Sequence, residues 1–440
     1  MTKCTFLLFL LFLVLQSCDN EGKKDAIRVP YDPSKPVEIT KFLPDSARFL
    51  DDFVITGSNF GTDISKIQVL FKDNTRKATV LGSDGNTIYG LVPKQPGGKN
   101  SVTLVLNETD TIDLVQKVNY KQFTMTTVLS GIKTDRKHVD GTLSEGRFQS
   151  SVGCAFVAEN NLIVSETHQR RIRLVSEKDN SVITLLEGFC AGKPAINKAG
   201  DRAYFIGLFA NSHIVYEFLR ENLWSPRKIR ATTITLSTEE VWNCALDDSE
   251  EWLYFVDLAG KMIRMNLRDT ENTELVMNGI FTTQGGQLLS TWRPYIVWSP
   301  VDKCFFVSSG QNESLSVIYR IWNEDGVWKK EIYAGKLGNP GMNNGHRLDE
   351  ALIRQPLGMV VDSEGNLYFA DSINRRFRKI DRLTGMITTV AGSGKADAVI
   401  GSDPLTETSF WMPHDITADS EDNFILADEL EGWWIKLAIE

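Results

Sequence analysis

The chain has 440 residues, of which 42% are hydrophobic and 24% are charged, as in globular proteins with room for two or three domains. Its formal net charge is −9, so it lacks the basic footprint expected of a nucleic-acid-binding protein. The 23 phenylalanines, ten tryptophans and ten tyrosines suit an all-β protein and can also provide flat rings on which sugars stack.

The first segment of the chain has the features of an export signal. Lys3 supplies a positive charge, and residues 5–15 form an apolar run that is too short to span a bilayer, which needs about 20 residues. Residues 1–17 are therefore predicted to be a signal peptide. The sequence LQSC at residues 15–18 resembles the lipobox of bacterial lipoproteins, which implies that Cys18 carries the lipid. The alternative is an ordinary secretory signal followed by an incidental cysteine.

The residues after Cys18 predict how the chain is displayed. Asp19, Asn20 and Glu21 follow it directly, and acidic residues here resemble the surface-export signal of lipoproteins from Bacteroidota. Residues 18–35 are polar and contain prolines, so they are predicted to be an extended tether. The resemblance implies an outer-membrane location, through the lipid anchor only, with the chain facing the cell exterior. A position on the periplasmic side is the alternative.

Residues 36–120 predict a small β-sandwich. Short alternating segments, such as residues 67–71 and 101–106, are separated by turn residues. The sequence GSNFG at residues 57–61 resembles the most distinctive part of IPT/TIG domains, which are immunoglobulin-like. Its glycines permit a tight turn, and Phe60 is expected to plug one end of the sandwich. The resemblance implies a spacer or an interaction module.

Residues 121–440 contain a repeated pattern. The sequences NLIVSETHQRRIRLV at residues 161–175 and NLYFADSINRRFRKI at residues 366–380 are similar, and weaker copies lie between and after them. Six units of about 40 residues are visible, which is the length of a β-propeller blade. The second sequence resembles NHL repeats. We therefore expect an all-β chain in which the N-terminal immunoglobulin-like sandwich is followed by a six-bladed NHL-like propeller.

The propeller is expected to close through a strand from its own beginning. The sequence MTTVLSG at residues 125–131 is similar to MITTVAG at residues 386–392, which ends a blade. The last unit has only three strands of its own. Residues 124–130 are therefore predicted to supply its fourth strand, which would remove two exposed sheet edges.

Large side chains are predicted to gather at one mouth of the propeller channel. The loops before each innermost strand share a face with the turns between the second and third strands of a blade. Alignment of the units places these side chains there: Trp242, Trp292, Tyr295, Trp411, His414, Arg170, Asn374 and Arg375. Aromatic rings beside amides and charged groups suit a sugar. The alternative is that the tryptophans pack between blades or cap the channel.

Two arginine pairs, Arg170–Arg171 and Arg375–Arg376, allow two interpretations. One member of each pair fills a position of the NHL consensus and is expected to hold neighbouring strands through a fork of hydrogen bonds. The other could meet an anionic ligand such as a uronate or a sulfate.

The architecture favours a binding protein. A lipid-anchored chain with a spacer domain and a propeller is similar to the accessory lipoproteins of glycan-uptake systems in Bacteroidota. The resemblance implies capture of a polysaccharide or oligosaccharide beside an outer-membrane transporter complex. A protein-interaction scaffold on the cell surface is the alternative. No cofactor and no nucleic-acid partner are predicted.

A metal-dependent lyase or hydrolase is the third hypothesis. Some NHL-like propellers resemble a lyase that holds a metal through histidines at the channel mouth, and His168, His213 and His414 fall in neighbouring blades. Their registers place them at different depths, and no HxxxH or HExxH spacing occurs. The sequence therefore favours a protein that is not an enzyme and holds no metal.

Overall fold

The computed structural model describes residues 30–439 apart from residues 48–50, 74–75, 94, 96, 121–123, 168–169, 210–211, 238 and 421. Cys18, the predicted signal peptide and His168 lie outside the described residues. The chain divides into two compact units after Gln122. None of the described helices has the length and apolar character that a membrane span needs. They are single 3-10 turns, at Ile64–Lys66, Ala158–Asn160 and Arg220–Asn222.

The first unit is a β-sandwich. Its strands are β1 (Glu38–Leu43), β2 (Ser46–Ala47), β3 (Asp52–Ser58), β4 (Ile67–Phe71), β5 (Arg76–Lys77), β6 (Thr79–Ser83), β7 (Thr87–Leu91), β8 (Gly98–Asn100), β9 (Val102–Leu106), β10 (Asp110–Asp113) and β11 (Val118–Tyr120). Two four-stranded sheets, in the orders β1-β3-β7-β6 and β10-β9-β4-β5, are accompanied by a third sheet, β2-β11-β8. Alternate residues of these strands enter one core, in which the rings of Phe42 and Phe53 stack with centroids 5.4 Å apart.

The GSNFG turn closes one end of this core. A Cβ at Gly57 would lie 1.9 Å from the Glu38 carbonyl oxygen, so only glycine lets β1 and β3 approach there. Asn59 adopts a φ of 63° and donates through Nδ2 to the Asp32 carbonyl at 2.9 Å. Phe60 is buried in the sandwich core. The turn therefore combines a close backbone approach with an apolar plug.

The second unit is a six-bladed propeller, which confirms the predicted fold class. A single strand, β12 (Thr124–Gly131), precedes blade 1. Blade 1 comprises β13 (Gly153–Val157), β14 (Asn161–Glu166), β15 (Arg171–Ser176) and β16 (Ser181–Glu187). Blade 2 comprises β17 (Ala195–Ile196), β18 (Arg202–Phe209), β19 (Ser212–Leu219) and β20 (Pro226–Thr232). Blade 3 comprises β21 (Val241–Leu246), β22 (Trp252–Asp257), β23 (Met262–Asn266) and β24 (Thr273–Met277).

Blades 4 to 6 repeat the same antiparallel order from the channel outward. Blade 4 comprises β25 (Ile296–Ser299), β26 (Cys304–Ser308), β27 (Val317–Glu324) and β28 (Val327–Gly335). Blade 5 comprises β30 (Pro356–Val361), β31 (Leu367–Asp371), β32 (Arg376–Ile380) and β33 (Met386–Ala391), and the short β29 (Gly345–His346) pairs with β33. Blade 6 comprises β34 (Pro413–Ala418), β35 (Phe424–Asp428), β36 (Trp433–Ile439) and the outermost strand β12.

The ring closes through β12 and through contacts between innermost strands. β12 pairs antiparallel with β36, with Thr126 opposite Leu437 and Thr127 opposite Lys436. The innermost strands β13, β17, β21, β25, β30 and β34 contact one another in that order, and β34 also contacts β13. Blade 6 thus joins the two ends of the unit. Because β12 and β36 pair with each other, their facing edges are not exposed.

Apolar side chains pack between neighbouring blades. Tyr254 of blade 3 meets Phe305 of blade 4 with centroids 4.5 Å apart, and Tyr368 of blade 5 meets Phe424 of blade 6 at 4.4 Å. Trp434 is fully buried. These contacts hold the blades at fixed positions around the channel, which fixes the loops at its mouth.

The buried arginine forks lie two residues after the positions that the sequence indicated. Arg173 and Arg378, not Arg171 and Arg376, are the arginines with no exposed side-chain surface. Arg378 donates to the carbonyls of Leu352 and Asn343, both at 2.6 Å. Within the pairs, Arg376 donates to the carbonyls of Asn374 and Ser393 at 3.0 and 3.2 Å, and Arg171 donates to Glu187 of the neighbouring strand at 3.0 Å, so these arginines also brace the blade from more exposed positions.

Candidate functional site

Carboxylates at the ends of second strands hold the loops at the channel mouth. In blade 6, Asp428 accepts the backbone N–H groups of Trp411 and Met412 at 2.8 and 2.7 Å. In blade 5, Asp371 accepts the N–H of Arg354 at 2.8 Å. Burial raises the pKa of Asp428 to about 6. The acidic residue of the repeat therefore positions the loop that precedes its own blade.

Two tryptophans stand exposed on these loops. Trp292, before blade 4, is 56% exposed, and Trp411, before blade 6, is 43% exposed. The Trp292 carbonyl accepts the N–H of Gln311 at 2.9 Å, from the turn between the second and third strands of blade 4. The Arg375 guanidinium lies 5.9 Å from the centre of the Trp411 ring. Both tryptophans therefore lie at the same end of the propeller, beside turns of that end.

Arg293 reaches across the channel mouth. It lies in the loop before blade 4 with a φ of 52°, a conformation that is uncommon outside glycine. Its Nη1 donates to Nε2 of His414 and to Oε1 of Glu429, both at 2.8 Å, and both partners belong to blade 6. Its guanidinium carbon lies 5.5 Å from the ring centre of Trp242 in blade 3. Blades 3 and 6 lie opposite each other in a ring of six, so the Arg293 side chain spans the mouth.

Tyr295 and His414 lie beneath this arginine. They are 1% and 0% exposed, and the Tyr295 hydroxyl lies 2.7 Å from Nδ1 of His414. Because a guanidinium only donates, Nε2 of His414 accepts from Arg293 and the ring proton resides on Nδ1, 3.0 Å from the Val152 carbonyl. Burial raises the pKa of Tyr295 well above its usual value. These two predicted site residues thus support the mouth and do not face solvent.

A bulge in β34 explains why two consecutive residues enter the channel. The register of β34 with β35 shifts between Pro413 and Asp415, and His414 and Asp415 are both fully buried. Asp415 pairs with Lys193 at 2.9 Å and accepts the N–H of Cys154 at 2.9 Å. Lys193 also donates to the carbonyls of Cys154 and Ile416, at 3.1 and 2.8 Å. A hydrogen-bonded ion pair therefore fills this part of the channel.

The remaining predicted residues divide between exposed and structural positions. Arg170 is exposed and Arg375 is half-buried. Asn374 donates to the carbonyl of Gly341 at 2.6 Å and to Asp371 at 2.9 Å, so its amide nitrogen holds a turn. Trp242 is half-buried under Arg293. Of the eight predicted site residues, Trp292, Trp411 and Arg170 are the exposed ones.

The histidines of the metal hypothesis have other partners where the structure describes them. His213 is 1% exposed and its Nδ1 accepts the N–H of Ile234 at 3.1 Å. Burial lowers the pKa of His213. Both ring nitrogens of His414 are hydrogen-bonded as described above. In the described part of the chain, no three His, Cys, Asp or Glu side chains are arranged to hold a metal ion.

Four residues of the mouth and channel were not predicted from the alignment of the repeat units. Arg293 and Glu429 occupy positions that differ in type from blade to blade, so no repeated residue marks them. Lys193 and Asp415 carried a usable signal, since each is a charged residue in or beside a short innermost strand. Charges there are expected to pair with each other when buried.

Comparison with known proteins agrees with both units. Residues 36–123 match the family model of the IPT/TIG domain. A protein of unknown function from Bacteroides thetaiotaomicron, solved by crystallography, is 32% identical, with a TM-score of 0.82 over 94% of this chain and 100% of that one. The chain belongs to the same family as that protein.

More distant relatives share the fold. An auxiliary nutrient binding protein from Bacteroides thetaiotaomicron is 22% identical, with a TM-score of 0.59 over 93% of this chain and 99% of that one. NHL repeat-containing protein 2 from Bos taurus is 24% identical over 319 residues, which are 68% of this chain and 40% of the relative. The chain thus spans less than half of the curated relatives that it matches. The predicted resemblance to IPT/TIG domains and NHL-repeat propellers is confirmed.

Proposed function

We propose that this protein captures an extracellular polysaccharide or oligosaccharide at its propeller mouth, and that Trp292 and Trp411 are the stacking surfaces. The observation that carries this proposal is the exposure of two large indole rings at the same end of a rigid ring of blades. Exposed apolar surface of this size costs free energy of solvation, so a ligand that covers it is favoured. A sugar ring presents an apolar face of matching size.

The filled channel favours an extended ligand. Hydrogen bonds from Arg293 to Glu429 and His414 join the loop before blade 4 to blade 6, so a ligand meets a floor of side chains there. A polymer that lies across the mouth can contact Trp292 and Trp411 together without entering the channel. Arg170 and Arg375 add hydrogen-bond donors for hydroxyl or carboxylate oxygens at the same end.

The N-terminal residues support a cellular location for this activity. The predicted signal peptide and lipobox would anchor the chain through Cys18 to the outer membrane, facing the cell exterior. The sandwich would then serve as a spacer, and an outer-membrane transporter complex would be the partner that receives the glycan. The shared fold with an auxiliary nutrient binding protein from Bacteroides supports an accessory role in uptake.

A protein-interaction scaffold is the second candidate. Exposed tryptophans beside arginines are also the composition of binding hot spots between proteins. The same two side chains would then anchor a protein partner, so the ligand class and not the position of the site separates the two candidates. A metal-dependent lyase or hydrolase would need histidines other than His213 and His414 in their described arrangement.

Calorimetric titration of residues 19–440 tests the proposal. The probes are dextran, galactomannan, xylan, polygalacturonate and chondroitin sulfate. Wild-type protein is compared with a Trp292→Ala, Trp411→Ala double variant and with Trp322→Ala, which removes a half-buried tryptophan of β27 in the outer part of blade 4. Saturable binding that weakens at least about tenfold only in the double variant supports glycan capture at the mouth.

Two other outcomes count against the proposal. Binding that the double variant retains with unchanged affinity and stoichiometry moves the site away from the mouth. Absence of binding to every probe, with a folded wild-type protein, favours the protein scaffold, which cross-linking in intact cells would then examine. Anchoring is tested separately, because Cys18→Ser is expected to release the protein from the membrane fraction and to abolish incorporation of labelled palmitate.

A further inference from the structure

A second concave surface lies at the end of the propeller opposite the mouth. Successive strands of a blade are antiparallel, so the turns between first and second strands lie at the other end from the loops that carry Trp292 and Trp411. Such turns from blades 2, 3 and 4 line a concavity of about 570 Å³ that opens to solvent. We call it the turn groove, and its lining includes Ile196, Lys198, Leu246, Glu250, Trp298 and Pro300. This volume lies in the range of small-ligand sites, about 300–1,000 Å³.

Trp298 is held rigidly in this groove. Its Nε1 donates to Oδ1 of Asp248 at 2.9 Å, and its ring packs against Phe305 with centroids 4.7 Å apart. Asp248 in turn pairs with Lys303 from the next turn. The indole is half-buried and therefore keeps some surface for a ligand. A ring that is fixed before binding loses little conformational entropy when a ligand stacks on it.

Some polar groups of the turn groove are hydrogen-bonded within the turns, and others can meet a ligand. Asp247 accepts from Ser249 and from Tyr254, at 2.5 and 2.9 Å, so its carboxylate stabilises its own turn. Asp248 is used by Trp298 and Lys303. Glu250 accepts the backbone N–H of Lys198 through one carboxylate oxygen. Its second oxygen and the exposed Lys198 ammonium offer one acceptor and one donor at the rim.

We propose that the turn groove is a second carbohydrate site, which binds one or two sugar rings at the end of a glycan chain. It rests on the proposed glycan-binding function, which it extends to the other end of the propeller. A sugar ring lies on Trp298 above Ile196 and Leu246, and its hydroxyl groups meet Lys198 and Glu250. The size of the turn groove leaves room for one or two sugar rings, as at a chain end. Two sites on one propeller raise the retention of a long polymer through effective concentration.

The test uses short probes that cannot bridge the two sites. Residues 19–440 are titrated with hexasaccharides of glucose, mannose, xylose and galacturonic acid. Wild-type protein is expected to bind two molecules of at least one probe. Trp298→Ala and the double variant Trp292→Ala, Trp411→Ala are each expected to bind one. The control is Trp322→Ala, which keeps two sites.

Milder variants guard against a folding defect in Trp298→Ala. Trp298→Phe keeps an aromatic ring against Phe305, and Lys198→Glu changes only an exposed rim residue. Both are expected to weaken the groove site at least threefold while leaving the mouth site unchanged. In hydroxyl-radical footprinting of the wild-type protein, the probe is expected to protect Trp298 and Pro300 together with Trp292 and Trp411.

The outcomes separate the two proposals. If the groove variants bind as the wild type does and Trp298 is not protected, the second site is wrong and glycan capture at the mouth stands. If only the groove variants lose binding, the mouth is wrong and the groove stands. If the folded wild type binds none of the hexasaccharides and no tryptophan is protected, both sites are overturned.

Discussion

Arg293 donates a hydrogen bond to His414 across the propeller mouth, with 2.8 Å between Nη1 and Nε2. The two residues belong to blades that are not neighbours, and Glu429 accepts from the same nitrogen at 2.8 Å. The side chain of Arg293 is 12% exposed and that of Glu429 is 3% exposed, so solvent screens this ion pair only weakly. The contact joins blades 4 and 6 directly and keeps Tyr295 and His414 covered.

Arg293→Ala is expected to lower the free energy of unfolding by about 3 kcal/mol, because it removes the guanidinium that pairs with the buried Glu429 carboxylate. Denaturant unfolding of residues 19–440 measures the change. The matched control is Arg354→Ala, since the Arg354–Glu313 pair is 41% and 46% exposed and is worth at most about 1 kcal/mol. Equal losses in the two variants would contradict the role of burial.

Asp428 is expected to make stability depend on pH. Its pKa is about 6 in the folded state and 3.8 as an ordinary aspartate, so the folded state binds the proton more tightly. Its contribution to the free energy of unfolding therefore falls as the pH rises from about 4 to about 6, by an amount on the order of 3 kcal/mol.

Asp428→Asn removes this pH dependence. The free energy of unfolding of the wild type minus that of the variant is expected to fall as the pH rises from 4 to 6 and to stay constant above about 7. Urea unfolding at four pH values between 4 and 7.5 checks this, and the subtraction cancels the other buried carboxyls. Parallel curves for the two proteins would refute the proposed titration.

Gly358→Ala is expected to be severely destabilising. A Cβ at this position would lie 2.1 Å from Oδ1 of Asp415, inside the Lys193–Asp415 pair. Because neither partner of a buried ion pair can move freely, we expect a loss of more than about 3 kcal/mol or failure to fold. Thermal unfolding provides the comparison with Gly285→Ala, where an added Cβ meets only the Thr283 hydroxyl at 3.9 Å. A Gly358→Ala protein as stable as the control would disprove the close packing.

Arg378→Lys is expected to cost several times as much stability as Arg376→Lys. Arg378 is fully buried and its two terminal nitrogens bond to Leu352, Asn343 and Asp371, which a single ammonium cannot reproduce. The loss is expected to be about 3 kcal/mol for Arg378→Lys and under about 1 kcal/mol for Arg376→Lys. Chemical denaturation of both variants measures these losses. Similar denaturation midpoints would show that the Arg378 hydrogen bonds do not stabilise the blade more than those of Arg376.

The architecture follows from repetition in the sequence, whereas the depth of single side chains does not. Repeated sequence patterns in the last three hundred residues or so predict the strands, the number of blades and which loops lie at the same end of the propeller. They do so because every blade packs against its neighbours in the same way. Alignment places Tyr295 and His414 at the mouth, which is where they lie. It cannot show that both are covered, since the covering side chain, Arg293, comes from a loop that differs in every blade.

The arginine pairs illustrate the same limit. Repetition marks the whole sequence RR[IF]R as special, but three arginines in four residues leave the inward one undecided. The structure assigns the buried fork to Arg173 and Arg378, which lie two residues inside strands β15 and β32, next to a register shift with the outermost strand, whereas Arg171 and Arg376 begin those strands.

The pairing of β12 with β36 also sets an order of assembly. β12 is the first strand of the propeller to be synthesised, and its partner is the last. Until residues 433–439 have been synthesised, the edge of β12 that pairs with β36 is open and blade 6 is incomplete. The ring of blades therefore cannot close before then. Contacts of such long sequence separation slow folding and prolong the exposure of unpaired strands. A truncation that removes only β36 is therefore expected to affect the first strand of the propeller as much as the last.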